Sequence, residues 1–190
     1  MNLCTVDDIY GIVLSIGNWF SGATGMNNYA PSLQTRDLRY FRLIHSLQQE
    51  KLPSIVYRFS KLKIENANKK VGKSIAIVTG SKNLQSWTTD HNYPKIFFEK
   101  FYSQGMGGNL RNDKRFEPCV ISTVPSKRNY CASTEECIAF FETALKLIEH
   151  ATKEQDPNKN KSLAKYACNK LIKRLNSNFI KQQKEVVLFS

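Results

Sequence analysis

Ser86-Trp87-Thr88-Thr89 sets three hydroxyls around a tryptophan, between a β-like run and the start of a helix. Hydroxyls so placed can hold a nucleotide, or they can end a strand and cap the helix that follows. Ala67-Asn68-Lys69-Lys70-Val71-Gly72-Lys73-Ser74 ends like a phosphate-binding P-loop, but Ala67 stands where the pattern needs glycine. A strand, not the required helix, is predicted after Ser74. Gly105, Gly107 and Gly108 lie beside Arg111, Lys114 and Arg115, a composition that suits either an anion cradle or a surface connection. His91 and His150 could act as acid–base groups, although neither has a nucleophile at a recognisable spacing. Lys161, Lys165, Lys170, Lys173 and Arg174 decorate one C-terminal helix, which could follow a phosphate backbone or be a solvated face.

These residues need a scaffold, and the chain has the bulk to build one. It has 190 residues, 41% hydrophobic and 23% charged, which predicts a single globular domain over 1–190. The net charge of +12 calls for anionic company: nucleic acid, an acidic protein, a phosphorylated cofactor or an acidic membrane. Five cysteines without paired spacing argue against a disulfide framework, and a zinc site is not expected. Asp7 and Asp8 stand where a secretory leader would be basic, and Gly11, Gly17 and Asn18 interrupt the apolar run after them. No leader or membrane span is expected, which points to a cytosol, the producer's or a host's.

Thr5 is placed to cap a first helix carrying Ile9, Ile12, Val13 and Ile16 on one face. A second helix is predicted over 36–49, with Tyr40, Leu43, Ile44 and Leu47 buried. Strands are predicted over 54–58, 74–79, 84–87, 119–124 and 185–189, where β-branched and aromatic residues concentrate. Residues 59–73, polar and lysine-rich, read as a loop or ragged helix. Asp90 or Asn92 can cap a helix with Pro94 in its first turn and Ile96, Phe97, Phe98 and Phe101 on its apolar face. Ser133 and Glu136 form a capping-box pattern ahead of Ile138, Phe141, Leu145 and Ile148. A helix over 162–175 should turn Leu163, Ala167, Leu171 and Leu175 inward. The fold class is α+β: a mixed or antiparallel β core from 51 onward, helices in residues 1–50, and a helical pair inserted before the last strand.

Val56-Tyr57-Arg58, Ser86-Trp87-Thr88 and Gln183-Lys184-Glu185 occur in that order, each next to a predicted strand. Together they resemble the Arg, Ser-x-Ser/Thr and Gln-x-Glu pattern of the mono-ADP-ribosyltransferases. The likeness is to the arginine-serine-glutamate branch of bacterial toxins, effectors and small bacteriophage enzymes, and it runs from about Arg36 onward. Phe59 stands where the family commonly has glycine. The resemblance implies NAD as substrate, no metal, and transfer of ADP-ribose to a macromolecule. It implies that Glu185 stabilises a cationic ribose, that Gln183 faces the acceptor and that Arg58 grips phosphate or ribose oxygens. Ser86 would hold Glu185 and the cofactor in register, with Thr88 bracing the strand and Trp87 between them. The alternative is a non-enzymatic basic module that binds nucleic acid or an acidic protein through the glycine-rich loop and the lysine-rich helix.

Overall fold

A computed structural model describes residues 5–20, 39–46, 52–63, 84–103, 116–150 and 159–189. The predicted strand over 74–79, the P-loop-like run and the glycine-rich loop lie outside these residues. The fold is α+β. Helices α1 (Val6–Phe20) and α2 (39–46) precede strands β1 (Val56–Lys63) and β2 (Leu84–Thr88). Helix α3 (Tyr93–Ser103), strands β3 (Phe116–Thr123) and β4 (Tyr130–Ser133), and helices α4 (Thr134–His150), α5 (Lys159–Leu175) and α6 (Asn178–Lys181) follow. Strand β5 (Glu185–Phe189) comes last. The strands form one sheet in the order β3-β1-β2-β5-β4, with the β3–β1, β1–β2 and β2–β5 pairs antiparallel. No helix among the described residues is long and apolar enough to cross a membrane.

The chain divides into two compact units. One joins Met1–Glu50 to Cys131–Lys181, and the other joins Lys51–Tyr130 to Gln182–Ser190. The chain therefore leaves the strand-bearing unit after Tyr130 and returns at Gln182, which accounts for the long separation of Ser86 from Glu185 in sequence.

In the helical unit, reciprocal caps set two helix starts. Asp8 N–H donates to Thr5 Oγ1 at 3.1 Å while Thr5 N–H donates to Asp8 Oδ2 at 3.0 Å. Ser133 and Glu136 repeat this at α4, at 2.7 and 3.1 Å, and such a cap contributes about 1 kcal/mol. Ile9, Ile12, Val13 and Ile16 are buried, as their spacing predicts. On α2 the fully buried residues are Phe41 and Ile44, while Tyr40 and Leu43 are only half-buried. On α5 the buried stripe is Ala164, Cys168, Leu171 and Leu175. It is rotated by one residue from the predicted one at its start, so Leu163 is exposed. Burial pushes the Cys168 thiol up to about 11.

In the strand-bearing unit, Val56, Trp87, Ile121, Tyr130, Val186 and Leu188 form the core on one face of the sheet. Strand β1 runs to Lys63, well past the predicted end at Arg58, and pairs with β3 from Val56↔Thr123 to Lys63↔Phe116. Its pairing with β2 is confined to Tyr57↔Thr88. Beyond that rung β1 and β2 part, and their facing edges open a wedge in the sheet. On α3, Ile96 and Phe97 are exposed rather than buried.

Candidate functional site

The wedge between β1 and β2 is the floor of a cavity of about 220 Å³. All six residues singled out in the sequence line it: Arg58, Ser86, Trp87, Thr88, Gln183 and Glu185. They come from the ends of three strands and from the turn before β5. The helix α3 adds Tyr93, Pro94 and Phe97, and β1 adds Tyr57 and Phe59.

Register explains how residues so distant in sequence meet. Tyr57 pairs with Thr88, and Thr88 with Glu185, so the three form one rung across β1, β2 and β5. Paired residues share a face, and successive residues alternate. Ser86 lies two residues from Thr88, on the same face as Glu185. Its own partner is Val187, so the direct cross-strand neighbour of Glu185 is Thr88 rather than Ser86. The same alternation puts Arg58 and Trp87 on the face that carries Val56 and Ile121. The cavity reaches both sets because the sheet is split between β1 and β2.

Each polar group has a distinct environment. Glu185 is 7% exposed, yet it lines the cavity. Burial, and then the Glu185 charge, push the Tyr93 hydroxyl above the usual phenol range, so the carboxylate acts across the cavity. Arg58 is half-buried, and burial lowers its guanidinium from its ordinary value. Its Nη1 has no hydrogen-bond partner among the described residues, and neither has Trp87 Nε1. Thr88 Oγ1 accepts a bond from Asp90 N–H at 3.0 Å. Ser86 is exposed and Gln183 half-buried.

The rim is clasped at the β2–β5 end. Thr89 N–H donates to the Lys184 carbonyl at 3.2 Å, and Lys184 Nζ lies 3.7 Å from Asp90 Oδ2. The Asn92 N–H bond at 2.9 Å is the main influence holding the Asp90 carboxyl below its ordinary range. Lys184 and His91 reinforce it against the opposing effect of burial. Lys184 itself has φ of 42°, in the left-handed region that costs a side chain about 1–2 kcal/mol. This conformation lets Gln183 and Glu185, two residues apart across the bend, both line the cavity. Lys184→Gly relieves that strain but loosens the unfolded chain by about 0.4–1 kcal/mol and gives up an exposed ion pair. The expected result is a gain of about 0.5 kcal/mol in urea unfolding. A clear loss of stability would show that the Lys184 side chain holds the bend.

Tyr57, Phe59, Tyr93, Pro94 and Phe97 are the lining residues that sequence reasoning did not assign to the site. The signal for Phe97 was its place in the aromatic run of α3, which was assigned to a buried face. His91 is exposed and meets the Tyr57 ring edge-on at 6.2 Å between centroids. It is not among the cavity-lining residues. His150 ends α4, in the helical unit.

The site thus offers a half-buried guanidinium, a shielded carboxylate, hydroxyls, an amide and aromatic walls around one cleft. That set can bind an anionic group at one end and stabilise positive charge at the other. Compared with protein-family models, with curated proteins and with solved structures, the chain matches none.

Proposed function

We propose that this chain is a mono-ADP-ribosyltransferase, which cleaves NAD and transfers ADP-ribose to a macromolecular acceptor. The observation that supports the reading is the convergence of Arg58, Ser86, Thr88, Gln183 and Glu185 on one cavity despite their separation in sequence. About 220 Å³ is small for a whole dinucleotide. It suits the nicotinamide–ribose end, with the remainder of NAD lying along the open wedge.

In the reaction, the bond from ribose C1′ to the nicotinamide nitrogen breaks, and its electron pair leaves with nicotinamide. Positive charge grows on the ribose, as in glycoside cleavage. The Glu185 carboxylate, shielded from water, stabilises that charge most where it is greatest, in the transition state. Arg58 grips a phosphate oxygen through its guanidinium. Thr88 holds the strand end beside Glu185, and Ser86 contacts the cofactor. The acceptor, oriented by Gln183, adds at C1′ and gives up a proton.

The acceptor is a protein or a nucleic acid, and the +12 charge favours an acidic one. The reaction takes place in a cytosol, the producer's or a host's. Incubation with NAD labelled in its adenylate phosphate, in the presence of cell lysate, should release nicotinamide and leave label on macromolecules. Protease and nuclease treatment then identify the acceptor class. Absence of both nicotinamide release and transferred label would refute the assignment.

A further inference from the structure

A second concave surface lies in the helical unit, between α1 and α5. The two helices pack closely: a Cβ added at Gly17 would lie 3.9 Å from Leu171 Cδ1. Arg174 Nη2 donates to the Phe20 carbonyl at 3.1 Å, tying the C-terminal end of α1 to α5. Alongside this packing runs a groove of about 410 Å³. From α1 it takes positions 10, 13, 14, 17 and 18, and from α5 positions 163, 166, 167, 170, 171 and 174. Both series recur every three or four residues, so the groove follows the two helices along their length. From Leu163 to Arg174 it spans about 16 Å, or three helical turns.

The groove has an apolar floor and a charged end of one sign. Val13 and Leu171 are buried at its base. Leu14, Leu163 and Tyr166 stand 45%, 44% and 67% exposed along it, an unusual outlay of apolar surface on a helix pair that has a core of its own. Lys170 and Arg174 occupy one end, and no carboxylate is among the described residues that line the groove. Helix α5 has no acidic residue. Its Lys165 pairs with Glu149 at 2.8 Å, and Lys170, Lys173 and Arg174 follow toward its C-terminal end.

We propose that this groove takes an acidic amphipathic helix of a partner protein, about three turns long. An apolar stripe on that helix would cover Leu14 and Leu163, and carboxylates at one of its ends would meet Lys170 and Arg174. A concave channel three turns long fits a rod better than a flat lipid surface. Charge complementarity selects an acidic occupant and disfavours a second copy of a chain carrying +12.

The test uses two fluorescein-labelled helical peptides with the same leucine stripe, one flanked by glutamates and the other by lysines. Fluorescence anisotropy is read with the full chain at low and physiological salt. The acidic peptide should bind at least tenfold tighter than the basic one. Leu163→Gln, which leaves the charge unchanged at an exposed site, should weaken acidic-peptide binding about tenfold without shifting thermal unfolding, and Lys170→Gln should weaken it several-fold. Equal binding of the two peptides would overturn the proposal, as would acidic-peptide binding that ignores Leu163→Gln. Binding to phosphatidylserine vesicles that is lost in Leu163→Gln, without any preference between peptides, would overturn it in favour of a lipid surface.

Discussion

Under the proposed function, Glu185→Gln should lower nicotinamide release from NAD by about a hundred- to a thousandfold, the usual cost of losing one preorganised electrostatic stabiliser. The substitution keeps the shape of the side chain and removes its charge. Glu185 is nearly enclosed, so little solvent dilutes its field at the ribose. The charge matters most when the ribose is most cationic, so kcat should fall far more than KM for NAD rises. A second measurement separates this role from a merely structural one. The Glu185 charge helps push the Tyr93 hydroxyl up, so in the variant Tyr93 should titrate closer to the usual phenol range. Thermal unfolding should be retained, because the backbone rung from Tyr57 through Thr88 to position 185 does not depend on the charge. Unchanged turnover in a folded variant would refute the proposed chemistry, whatever Tyr93 did.

What could be read from the sequence here depends on whether local chemistry decided the outcome. The Thr5 cap and the Ser133/Glu136 box form as read, because each satisfies its own backbone groups within four residues; the return bond from Thr5 N–H to Asp8, which makes the first a box as well, went unread. Strand β5 begins at Glu185 as its β-branched run suggests. The extension of β1 through Ser60-Lys61-Leu62-Lys63 escaped notice for a physical reason. Past Tyr57 this strand is paired, among the described residues, only with β3, so it behaves as an edge, where lysines are suitable and hide the strand signal. The short β4 was missed because Tyr-Cys-Ala-Ser leads straight into the cap of α4 and offers no alternation to count. On α5 the small residues Ala164 and Cys168 form the packed face, so a reading that sends the largest apolar residue inward misplaces Leu163. Phe97 illustrates the same limit at the site. Sequence periodicity marks it as apolar and does not distinguish a core from the wall of a cleft. The three short motifs could be matched to a pattern, but their meeting in space depends on strand register, which only long-range pairing sets.

Arg58→Leu should separate binding from stability by moving them in opposite directions. A guanidinium held partly out of water, with no acid paired to it among the described residues, is a cost to the folded state, and burial lowers its pKa. Leucine fills much of the same space beside Val56 and Ile121, on the core face of β1, at no desolvation cost. Solvent at the cavity mouth screens part of the penalty, so the gain in stability should be about 1 kcal/mol, or about 2–4 °C in melting temperature. Cofactor affinity should move the other way. A charge-assisted bond to phosphate contributes about 1.5–3 kcal/mol, so NAD should bind about ten- to a hundredfold more weakly. Because alternation sets Arg58 on the opposite face of the sheet from Glu185, its loss should raise KM for NAD and affect kcat little, the reverse of the Glu185→Gln pattern. Arg58→Lys restores the charge without the planar fork and should recover only part of the affinity. Destabilisation by Arg58→Leu with unchanged NAD binding would make this arginine a structural residue. A destabilised variant could not be explained by relief of a buried unpaired charge, and unchanged binding would leave the phosphate end of the cleft without its proposed contact.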